Sequence, residues 1–156
     1  MPMSWHQGTG LMYIPVIDVP NIWVDLARNG GRVKYVDGFF TVVLNTNPYT
    51  YLGNRPLDLS PAASLDRGLV AVTFRSMKVS AILGGLGSAL RGGGVTPSDT
   101  LDVRTDLSEL TIEHRVDSSR EGFPYQLDGD YIGETTTLEI EHCEEALLLV
   151  RPRGEF

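Results

Sequence analysis

Two carboxylates flank a glycine in the stretch Pro124-Tyr125-Gln126-Leu127-Asp128-Gly129-Asp130-Tyr131-Ile132-Gly133-Glu134. A tight strand connection of this kind can hold an acid at the lip of a cleft, where acid–base chemistry would use it. Taken alone, Asp-Gly-Asp is also an ordinary turn sequence. A second stretch, Phe40-Thr41-Val42-Val43-Leu44-Asn45-Thr46-Asn47, ends a β-rich run in an amide pair. Asn45 by itself reads as a strand cap. A third, Leu57 to Val72, carries Asp66 in a turn directly before an apolar strand.

Other chemistries find little support. Gly85-Leu86-Gly87-Ser88-Ala89-Leu90 follows helix-like residues rather than a strand, so the context of a dinucleotide loop is wrong. The sequence contains no Walker-type loop with its lysine, and Ser88 lacks the flanking glycines of a nucleophile elbow. His6, His114 and His142 have no metal-ligand spacing. His142 and Cys143 are adjacent near a strand end, so their side chains point apart and make no dyad.

Composition narrows the partners. A chain of 156 residues can bury one real core, and 42% hydrophobic with 21% charged residues fits a globular protein. A net charge of −7 repels a nucleic-acid backbone and an anionic bilayer alike, so no nucleic acid is expected as a partner. Arg28, Arg32, Lys34 and Arg55 are the residues from which a local basic patch could be built. Cys143 is the single cysteine, which excludes an internal disulfide and favours a reducing cytoplasm. The apolar stretch Leu11 to Ala27 is broken by Pro15, Asp18, Pro20 and Asp25, so no transmembrane helix or secretory signal is expected. Work on lipid would then mean visiting the membrane from outside.

The elements that must position these residues are mostly strands. Arg32 to Val36, Asp37-Gly38 and Phe39 to Leu44 read as a hairpin with a two-residue turn. Strands are expected at Leu69 to Phe74, Leu101 to Thr105, Leu110 to Val116, Tyr125 to Leu127, Thr135 to Ile140 and Ala146 to Val150. Over Thr135 to Glu141 one face carries Thr136, Leu138 and Ile140 and the other Thr135, Thr137, Glu139 and Glu141, which suits a strand with one wet side. One helix interrupts the strands near residues 77–91. Ser76 is its expected cap, Val79, Ile82, Leu83, Leu86 and Leu90 its apolar stripe, and Gly92-Gly93-Gly94 its end. Gly84, Gly85 and Gly87 inside it each cost about 1 kcal/mol against alanine. They imply either close packing on a sheet or a wall of an acyl-chain cleft that can flex. The expected architecture is mainly β (α+β): an antiparallel β-sandwich over 31–156 with one substantial helix. It follows an irregular N-terminal segment over 1–30, least regular from Met1 to Asn21.

In their order and spacing, these pieces resemble the C-terminal domain of the diacylglycerol kinase family, which includes sphingosine kinases and bacterial lipid kinases. The matching pieces are Asn45, Gly53, Pro61-Ala62, Asp66-Arg67-Gly68-Leu69, the helix after Ser76, Leu127-Asp128-Gly129-Asp130 and Leu147 to Pro152. They run from about Gly31 to Pro152, in the flavour of the actinobacterial members.

The resemblance implies an ATP-dependent lipid kinase in which a nucleotide-binding domain and a β-sandwich meet around the lipid. It gives Asp130 the role of general base on the acceptor hydroxyl, with Asp128 orienting the turn, and it makes Asn45 substrate-binding. Asp66 and the carbonyl of Leu69 fall where the family holds magnesium, a hard cation that takes oxygen ligands. This chain departs from the pattern in three places. Asp130 is one methylene shorter than the usual glutamate, Ala63 stands where a second acid is usual, and Arg67 replaces a glycine. The Gly-Gly-Asp-Gly-Thr segment of the nucleotide domain has no counterpart, so the chain alone is not expected to phosphorylate anything. Its expected partners are a lipid such as diacylglycerol and a nucleotide-binding domain of the same or another chain, with cytoplasmic location and peripheral membrane contact. A homodimer through an exposed sandwich face is also open. The competing reading is a non-catalytic β-sandwich that binds or regulates a partner.

Overall fold

A computed structural model describes residues 12–13, 22–28, 31–115 and 121–144. Two four-stranded antiparallel sheets share one apolar core, as a β-sandwich requires. The first sheet joins β1 (Met12–Tyr13), β4 (Phe40–Leu44), β7 (Leu69–Phe74) and β8 (Leu101–Leu107) in the order β1-β4-β7-β8. The second joins β2 (Ile22–Arg28), β3 (Gly31–Gly38), β9 (Glu109–His114) and β12 (Thr137–Glu141) in the order β12-β9-β2-β3. Two ribbons stand apart from these sheets: β5 (Thr50–Leu52) with β6 (Arg55–Leu57), and β10 (Phe123–Leu127) with β11 (Asp130–Thr135).

The centre of the first sheet is apolar because its strands are covered on both faces. Every residue of β4 and β7 is buried. Phe40 and Phe74, paired across these strands, stack with ring centroids 4.2 Å apart. Leu110 and Ile112 of β9 and Val36 of β3 close the core from the second sheet. In β12, Leu138 and Ile140 pack toward the core while Glu139 and Glu141 stay exposed, as the alternation requires.

Several expectations need correction. Residues 32–44 do not form a hairpin. β3 pairs with β2, whereas β4 pairs with β1 and β7, so the chain crosses from one sheet to the other at Gly38-Phe39. Asp37-Gly38 continues β3 opposite Trp23 and Ile22, and the Phe39 amide donates to the Phe74 carbonyl at 2.8 Å. Residues 22–28, read as irregular, form β2, an inner strand between β9 and β3. Thr135 ends β11 rather than opening β12. The expected strand at 146–150 lies outside the described residues.

The helix α1 (Val79–Ala89) is two residues shorter at each end than expected. Lys78, not Ser76, is its N-cap. The Ser76 hydroxyl instead accepts from the Lys78 amide at 3.3 Å, forming a turn that leads into the helix. Ala89 is fully buried, and Leu86 and Leu90 pack against the core. Beyond the helix, Gly92 and Gly94 take positive φ angles of 76° and 70°, and the Ser88 hydroxyl donates to the Gly94 carbonyl at 2.6 Å.

Candidate functional site

Asp128 and Asp130 belong to a two-residue hairpin turn. Asp128 (φ 51°) and Gly129 (φ 90°) both occupy the left-handed region, and Leu127 pairs with Asp130 across the turn. Asp128 therefore lies within the turn, and Asp130 opens β11 with its side chain exposed. The ribbon is rooted by Phe123, which is fully buried in the core. Its pairing slips between Tyr125 and Gln126, leaving Ile132 without a partner on β10. Leu127, Tyr131 and Ile132, neighbours of the two acids along the ribbon, are each more than half exposed.

Asn45 leaves the end of β4 beside the start of β7, where Leu44 pairs with Val70. The Asp66 turn enters β7 at the same end. Asp66 is exposed, and its amide donates to the Ser64 hydroxyl at 3.4 Å. Gly68, just before β7, is required there by close backbone approach. A Cβ at that position would lie 2.6 Å from the Leu107 carbonyl oxygen. Leu69 is buried inside β7 and pairs with Leu107 of β8. Asn45, Asp66 and Leu69 thus share one end of the first sheet. No hydrogen bond or ion pair between described residues ties them to Asp130.

The donor set at this turn is one exposed carboxylate and the Leu69 carbonyl, while Ala63 is buried and offers no ligand. Magnesium fits such a set only if it keeps most of its own waters, as it commonly does. Among the described residues there is no group of three or more His, Cys, Asp or Glu side chains that could hold a metal.

The residues after Asn45 form a polar cluster that the sequence reading did not assign. Asn47 Nδ2 donates to Asp58 Oδ1 at 3.0 Å, closing the base of the β5–β6 hairpin. The Asp58 amide donates to the Ala89 carbonyl at the end of α1, at 3.1 Å. The side-chain oxygens of Asn45 and Asn47 are both buried without a hydrogen-bond partner among the described residues. A buried acceptor left without a donor costs about 1–3 kcal/mol. Two within three residues call for a functional explanation. The available signal was Gly53-Asn54, a two-residue turn that folds residues 50–57 back and brings Asp58 to Asn47. Gly53 supplies the positive φ of 63°. The tip of this hairpin exposes Tyr51 and Leu52.

Of the basic residues considered for a patch, Arg55 is exposed on β6. Cys143 is exposed and unpaired. Among the described residues no helix is long and apolar enough to cross a membrane. No family model matches the chain, and no curated protein matches it.

Proposed function

We propose that this chain is the lipid-acceptor domain of an ATP-dependent lipid kinase of the diacylglycerol kinase type. The observation that carries this reading is the exposed carboxylate of Asp130, set by a two-residue turn amid the exposed Leu127, Tyr131 and Ile132. An exposed acid with exposed apolar neighbours along the ribbon suits a hydroxyl delivered by a lipid. In the proposed reaction the lipid hydroxyl oxygen attacks the γ-phosphorus of ATP and the bond to the ADP oxygen breaks. Asp130 takes the hydroxyl proton, Asp128 fixes the turn, and Asn45 binds the acceptor. Asp66 and the Leu69 carbonyl would hold magnesium, which screens phosphate charge when bound. ATP itself is held by a nucleotide-binding domain of the same or another chain. The location is cytoplasmic, with peripheral contact at the membrane and diacylglycerol as the first acceptor to test.

The exposure of Asp130 also favours a second reading, a non-catalytic binding or regulatory module, because a plain turn points its acids into solvent. A kinase assay with magnesium, ATP and diacylglycerol separates the two. The chain alone should bind the lipid without transferring phosphate. Joined to a nucleotide-binding domain it should transfer phosphate, and Asp130→Asn should lower kcat by about 100-fold or more. An Asp130→Asn protein with full activity would remove the catalytic reading. Turnover by the chain alone would remove the division of labour between two domains.

A further inference from the structure

We infer that the base of the β5–β6 hairpin is a hydroxyl-recognition site, in which Asn45 and Asn47 accept hydrogen bonds from the polar head of a lipid. This inference rests on the lipid-acceptor reading and adds to it a place and a chemistry of recognition. The side-chain oxygens of Asn45 and Asn47 are the buried side-chain polar atoms that lack partners among the described residues. The orientation of the Asn47 amide is set by its neighbour. Its nitrogen donates to Asp58 Oδ1 at 3.0 Å, and a flipped amide would bring oxygen against carboxylate.

The neighbour that fixes Asn47 is itself an acceptor. Asp58 is a carboxylate, and its amide is bound to the carbonyl that ends α1. A Cβ at Gly92 would lie 3.6 Å from Asp58 Oδ2, so the glycine turn after the helix runs against the same carboxylate. The negative end of the helix dipole adds to this environment. An unpaired acceptor selects a donor, and none of the described residues supplies it.

The hairpin supplies the other half of an amphipathic fit. Tyr51 and Leu52 are 62% and 61% exposed. They stand about 10 Å from the hairpin base, the rise of three strand residues. A molecule with a hydroxyl head and apolar chains can place the head at Asn45 and Asn47 and run its chains past Tyr51 and Leu52. A water molecule donating to the same oxygens would gain nothing from the apolar tip.

The test uses the full chain and two soluble lipids, dioctanoylglycerol and the same molecule acetylated on its free hydroxyl. Removing the only donor should weaken binding at least tenfold. Asn45→Ala should abolish that difference while leaving Tm unchanged or raised, because it deletes an unpaired buried acceptor. A fall in Tm of several degrees would show that Asn45 is structural and overturn the inference. Equal binding of the two lipids would also overturn it, yet leave the lipid-acceptor reading standing. Binding of neither lipid would overturn both.

Discussion

Thr41 and Thr73 are fully buried and meet across β4 and β7, their hydroxyls 3.0 Å apart. Each satisfies the other inside an otherwise apolar sheet. Thr73→Val is nearly isosteric and should cost about 1–2 kcal/mol in a urea melt, because it strands the Thr41 hydroxyl. The double change Thr41→Val with Thr73→Val should recover most of that loss, and a purely additive result would show that the hydroxyls do not depend on one another. The same logic of partners divides what could be read at the candidate site. The Asp128-Gly129 turn was legible because its demand, two consecutive left-handed residues, is local. Asp58 was not, because its role depends on Asn47, which reaches it only once the intervening hairpin has closed.

Two glycines of the same composition class play opposite parts in their elements. At Gly68 an added Cβ would meet the backbone of Asp106 and Leu107 at 2.6–2.9 Å. At Gly84, inside α1, it would meet nothing within 4 Å. Gly68→Ala should therefore destabilise by about 2 kcal/mol or more through displaced backbone, whereas Gly84→Ala should stabilise by about 0.5–1 kcal/mol. Thermal melts of the two variants shifting in the same direction would contradict this account. Close packing thus explains Gly68, and it does not explain Gly84. Asp-Gly offers a parallel lesson. At 128–129 it makes a hairpin because β10 and β11 pair with each other. At 37–38 the same dipeptide stays extended because β3 and β4 find different partners. The choice between those outcomes lies in strands far along the chain, beyond the reach of any local signal.

At the scale of the whole molecule, the mainly β architecture was legible from strand patterning, and the run from Leu69 to Phe74 matches β7 residue for residue. The inner position of β2 was not, since only its pairing with β9 and β3 makes it a strand. That pairing has a cost in time. β2 meets β9 through residues more than eighty positions apart, such as Leu26 with Leu110. During synthesis β2 and β3 can pair early, but the edge of β2 that β9 will cover stays open until more than half of the chain has followed. Long-range strand pairing folds slowly, so refolding from urea should take milliseconds to seconds rather than microseconds, a range that stopped-flow fluorescence can check. An open strand edge in that interval is a template for pairing with another chain. The strand that completes the sandwich from within is thus, until β9 arrives, a docking edge for a neighbouring nascent chain, and crowded expression should raise the share of aggregated protein.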